Sequence, residues 1–133
     1  MSPEKSVIVT GNKTLTVADV GIVQIVKGDY VITLPTSAAA TAGSKFIIQN
    51  GGLAVAGTPE GTSKGNKSAA PSVKGVSADG ITGNGFTPAT NKSAINTKAT
   101  AQVGDRLELT GSGATGAGAW FTTYVRGVWA REA

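Results

Sequence analysis

The chain has 133 residues and a net charge of +4, with 19 Gly, 40% apolar and 5% aromatic residues, and neither His nor Cys. That length is one domain's worth, 1–133, and the apolar content can bury a core without covalent staples. The missing His and Cys exclude a disulfide framework, thiolate metal sites and any mechanism that needs an imidazole base.

Met1 to Lys5 is a polar, charged arm, and Val7-Ile8-Val9 after it is too short for a signal h-region. No apolar stretch approaches bilayer length, so the expectation is synthesis in the cytoplasm and no membrane partner. Thr14-Leu15-Thr16-Val17 alternates and predicts a half-buried strand. Gly21 to Lys27 and Tyr30 to Leu34 are two β-rich runs separated by Gly28-Asp29, which predicts a hairpin. Pro35 ends the second run by withholding a ladder donor. Thr36 to Thr41 has room for one helical turn, too short to stand alone. Lys45 to Gln49 predicts another strand, closed by Asn50-Gly51-Gly52.

From Gly57 to Lys98 the chain becomes rich in Gly, Ser, Thr, Lys and Asn, with scattered Val73, Val76, Ile81, Phe86 and Ile95. Five lysines (Lys64, Lys67, Lys74, Lys92 and Lys98) stand here against Glu60 and Asp79, so most of the basic excess sits in this segment. It reads as a long central excursion outside the β core, with Asn84-Gly85 as one hairpin tip. The bland reading of its charge is a solvated loop. The functional one is a basic strap against an acidic neighbour.

Regular patterning returns at the turn Val103-Gly104-Asp105. Arg106-Leu107-Glu108-Leu109-Thr110 alternates, with both leucines on one face. A Gly-rich loop leads to Ala119-Trp120-Phe121-Thr122-Thr123-Tyr124-Val125, a break at Arg126-Gly127, and Val128-Trp129-Ala130. Four rings crowd this stretch. Each taken singly is expected in the core, and at least one of the four at a surface contact.

Gly111 to Gly116 spells the dinucleotide fingerprint G-x-G-x-x-G, but the run after it reads as a strand where a helix is required. Gly61 to Ser68 falls one glycine short of the phosphate loop G-x-x-x-x-G-K-S. Three Asn-x-Ser/Thr triplets begin at Asn12, Asn66 and Asn91, which the abundance of those residues explains. No catalytic, cofactor or metal site is expected. The fold class that follows is all-β, a β-sandwich or jelly-roll-like barrel with a long central excursion.

The order of pieces resembles the small β-rich structural proteins of tailed bacteriophages. It runs from Thr14 to Leu34 with its Pro35 stop, through Gly43 to Gly52, to Val103 to Leu109 and the Gly-rich loop into Ala119-Trp120-Phe121. It is similar to head decoration (cement) proteins and to β-rich fibre or spike modules. The resemblance implies a non-enzymatic homotrimer on the outer capsid surface of the virion, with the major capsid protein as partner and no nucleic acid or cofactor. Fibre modules are more often appended to longer chains, so decoration is the preferred expectation. The candidate interface residues are Trp120, Tyr124, Arg126 and Trp129 on the aromatic strands, with Lys64, Lys67, Lys74, Lys92 and Lys98 of the basic segment. Two further readings are a carbohydrate-binding module stacking sugars on Trp120, Trp129 and Tyr124, and a glycoside hydrolase with two carboxylates facing one cleft.

Overall fold

A computed structural model of the chain describes residues 5–52, 69–76, 78–83, 90 and 92–132. It is mostly β, in two mixed sheets that do not close into a barrel. The strands are β1 (Ser6–Val9), β2 (Lys13–Thr14), β3 (Val23–Val26), β4 (Val31–Thr33), β5 (Lys45–Asn50), β6 (Ser72–Lys74), β7 (Ile81–Thr82), β8 (Ala94–Asn96), β9 (Arg106–Gly111), β10 (Trp120–Arg126) and β11 (Trp129–Arg131). A single helical turn, α1 (Ser37–Ala40), lies between β4 and β5. The first sheet runs β1-β3-β5-β9-β10-β7 and the second β11-β8-β6-β4-β2.

The first half winds. Its strands alternate between the two sheets, and each pairs in parallel with the strand two places on: β1 with β3, β3 with β5, β2 with β4, β4 with β6. This corrects the hairpin expected at Gly28-Asp29, because β3 and β4 belong to different sheets. The turn residues are real, but they make a corner. Gly28 has φ 141, and a Cβ there would lie 2.4 Å from the Tyr30 ring, so the ring folds back over a position that only glycine can fill.

The expected strand over Thr14 to Val17 is also shorter than its alternation predicts. Leu15 is buried, but Val17 begins a 3-10 turn, Val17–Asp19, and faces solvent. The Thr16 N–H donates to the Asp19 carboxylate at 2.9 Å, a local bond that competes with the ladder. The Thr36–Thr41 segment does make its helical turn. The Ala39 N–H donates to Thr36 Oγ1, and the Ser37 N–H donates to the buried Asp79 carboxylate at 2.8 Å. Tertiary partners therefore supply what so short a helix lacks.

The central segment needs the largest correction. Its described residues are not an excursion outside the core: β6, β7 and β8 belong to the sheets, β6 is the middle strand of the second sheet, and Val73, Ile81 and Ala94 are buried. Strands of two or three residues are too short for alternation to show among Ser, Lys and Gly. Lys64, Lys67, the Gly61–Ser68 motif and the Asn84-Gly85 tip lie outside the described residues.

One core joins the sheets. Val9, Val26, Phe46, Ile48, Leu107, Leu109 and Trp120 enter it from the first sheet, and Ile32, Val73, Ala94 and Trp129 from the second. Phe46 and Trp120 meet edge to face at 5.4 Å, the arrangement their quadrupoles favour. A buried polar bridge closes one end. Asn50 of β5 donates to Asn96 of β8 at 2.8 Å, and Asn96 donates to the Asp105 carboxylate at 3.1 Å. Gly127, at φ 88, carries β10 into β11 directly against that carboxylate, with 2.2 Å from a Cβ position to Asp105 Cγ.

Candidate interaction surface

β10 pairs with β9 in an antiparallel hairpin, Trp120 opposite Gly111, Phe121 opposite Thr110 and Thr122 opposite Leu109. The register then slips, and Tyr124 stands opposite Glu108, Val125 opposite Leu107 and Arg126 opposite Arg106. Thr123 is the extra residue of a β-bulge. Its hydroxyl donates to the Glu108 carbonyl at 3.4 Å and lies 3.3 Å from the Thr110 hydroxyl.

The bulge decides what the strand displays. Strict alternation from the buried Trp120 would send Thr122, Tyr124 and Arg126 all into the core. With one residue inserted, Val125 takes the inward place against Leu107, and Tyr124 and Arg126 turn outward with Phe121. Tyr124 is 48% exposed, whereas Trp120 is fully buried. Bulges that re-aim side chains in this way concentrate at working surfaces.

Charges complete this face. Glu108, beside Tyr124, is held by Lys45 at 3.3 Å and by Arg106 Nε at 3.1 Å. Two cations thus hold one carboxylate, and Arg126, opposite Arg106 in the ladder, adds a third, exposed positive charge to the same face. Ion pairs this close to solvent contribute at most about 1 kcal/mol, so their effect is to fix orientation and sign more than stability. A planar ring beside guanidinium groups suits an acidic protein surface, which Arg binds through paired hydrogen bonds.

The expected interface residues therefore separate. Tyr124 and Arg126 reach the outer face. Trp120 and Trp129 are buried, the latter donating its indole N–H to the Arg126 carbonyl at 3.0 Å. The sugar-stacking reading thereby loses two of its three rings to the core. Phe121, also exposed, joins the face, though the sequence offered no sign of which rings the bulge would turn outward.

The described lysines of the basic segment divide as well. Lys98 pairs with Asp29. Lys74 and Lys92 act on Glu132, whose carboxyl accepts the Ser93 N–H at 2.7 Å. That bond first, then one from the Ser93 side chain and the charges of Lys92 and Lys74, hold Glu132 below its ordinary pKa of 4.5 against a smaller opposing effect of burial.

The remaining described carboxylates have structural partners: Asp19 with Thr16, Asp29 with Lys98, Asp79 with Ser37, Asp105 with Asn96 and Glu108 with Lys45. Among the described residues, no three acidic groups gather where a metal ion could be held. No protein-family profile matches the chain, and no curated protein matches it.

Proposed function

We propose that the chain is a non-enzymatic virion structural protein that seats on the outer capsid surface and stabilises the head as a decoration protein. The observation that carries this reading is the bulged strand β10, which presents Phe121, Tyr124 and Arg126 on one cation-rich face of a rigid body. The two sheets share one core, which supports reading that body as a β-sandwich. Its partner is an acidic patch on the major capsid protein, and it works as a homo-oligomer. The attached protein stabilises the shell by mass action, since it binds the assembled state alone.

The test is to heat shells with and without the protein and compare their disruption temperatures, then repeat the attachment at rising salt. The expected result is a higher temperature with protein, and attachment that slows as salt rises. Equal temperatures, or no binding at low salt, overturn the reading.

The parallel winding of β1 to β6 favours a second reading, a β-rich fibre module, because stacked turns of this kind extend along one axis. That reading takes over if shells fail to bind the protein while a fibre or baseplate preparation retains it.

A further inference from the structure

Among the described residues the two sheets have four edge strands, and three of them are blunted. In the second sheet the inner row reads Lys13-Ile32-Val73-Ala94-Arg131 from one edge to the other. A cation thus stands at each end of an apolar row. Lys13 curls back to donate to the buried Gln24 amide oxygen at 2.8 Å. Inward-pointing charges at edge positions oppose strand addition. In the first sheet, β7 is blunted by its length of two residues.

β1 has none of these devices. It is Ser-Val-Ile-Val, four residues long, with Val7 38% and Ile8 56% exposed. No described strand lies beyond it. The Val23 N–H donates to the Lys5 carbonyl and the Lys27 N–H to the Val9 carbonyl, so the odd residues turn their backbone groups towards β3. By alternation, the N–H and C=O groups of Ser6, Ile8 and Thr10 point away from the sheet.

We propose that β1 is a self-association edge, and that two copies of this chain pair their β1 strands antiparallel about a two-fold axis at Ile8. The occupant is a second copy because the edge is complementary to itself. The outward backbone groups on residues 6, 8 and 10 are symmetric about Ile8. In that register Ile8 meets Ile8, Ser6 meets Thr10 and Val7 meets Val9. Lys5 falls opposite Gly11, so no like charges are opposed. The inner and outer faces also match, so the pairing joins two six-stranded sheets and covers Val7 and Ile8. The contact gives an even-numbered assembly where the phage resemblance implies a trimer, and it does not depend on capsid attachment.

Light scattering on the purified full chain at micromolar concentration tests it without shells. The expected mass is twice the 13.2 kDa of the chain, or an even multiple. Ile8→Lys places two ammonium groups face to face across the axis and halves the mass. Its circular dichroism stays that of the wild type, since Ile8 is on the surface. Val103→Lys, at an exposed turn position away from β1, leaves the mass unchanged. Amide exchange at Ile8 is slow in the wild type and fast in Ile8→Lys. A wild-type mass of one chain or an odd multiple overturns the proposal. So does an Ile8→Lys protein that keeps the wild-type mass.

Discussion

β5 and β9 are hydrogen-bonded neighbours of equal length, yet they are buried differently. β9 alternates strictly, with Leu107, Leu109 and Gly111 inward and Arg106, Glu108 and Thr110 half-buried on the outer face. β5 is buried on its inner face and at one point of its outer face: Phe46 and Ile48 enter the core, and Ile47 on the opposite side is also buried, between the exposed Lys45 and the half-buried Gln49. In the outer row Ile47 is flanked by Val23 of parallel β3 and by Glu108 of antiparallel β9. The boundary between the wound half and the hairpin half thus falls between these two strands. The apolar run Phe46-Ile47-Ile48 marks the stretch covered twice, and the clean alternation of β9 marks a strand covered once.

The sharpest way to break that comparison is through the contact that spans it. Phe46→Ala and Trp120→Ala each remove a fully buried ring and are expected to cost about 3–5 kcal/mol, read by urea denaturation. If the two halves form one cooperative unit, both variants unfold in a single transition. A biphasic curve for either would show that the halves unfold separately. Next in size is Asp105→Ala, which removes the acceptor of one N–H of the Asn96 amide and of the Gln102 N–H, at a cost of about 2–3 kcal/mol.

Two smaller effects sharpen the contrast between β5 and β9. Ile47→Ala is expected to cost about 2 kcal/mol, the low end for a buried isoleucine, because its face lies outside the main core. Thr110→Ala on the corresponding face of β9 is expected to change stability by less than about 0.5 kcal/mol. Equal costs would remove the distinction.

The smallest effect is that of pH on the C-terminal strand. Glu132 is depressed by its bond from Ser93, so its contribution is present above the ordinary carboxylate value and is lost as pH falls through the lower, folded value. The Ser93 amide shift, followed by NMR, is expected to titrate with a midpoint below 4.5. A midpoint at or above that value would mean that the bond does not hold in solution.

The sequence was most legible where one strand obeys one period. Arg106 to Thr110 could be read directly, as could the presence of a turn at Gly28-Asp29 and the room for a helical turn after Pro35. Pairing partners were not legible. Gly28-Asp29 looks the same whether it returns the chain along one sheet or carries it across to another, and the distant partners of β3 and β4, namely β5 and β6, decide between the cases. β6 and β8 were hidden by brevity, since one buried side chain in a three-residue strand sets no pattern. The display of Tyr124 was hidden by an insertion of one residue, Thr123, in a run where each residue suits a strand.

The winding also has a kinetic side. β5 needs β3 on one flank and β9 on the other, and Ile47 and Glu108, which pair, are separated by nearly half of the chain's length. The parallel partners are distant as well, Ser6 meeting Val23 and Val31 meeting Ser72. Loop closure must therefore be met before these ladders return any energy, so refolding is expected in the millisecond-to-second range. On the ribosome, β5 emerges with its apolar flank open and keeps it open until β9 has been made.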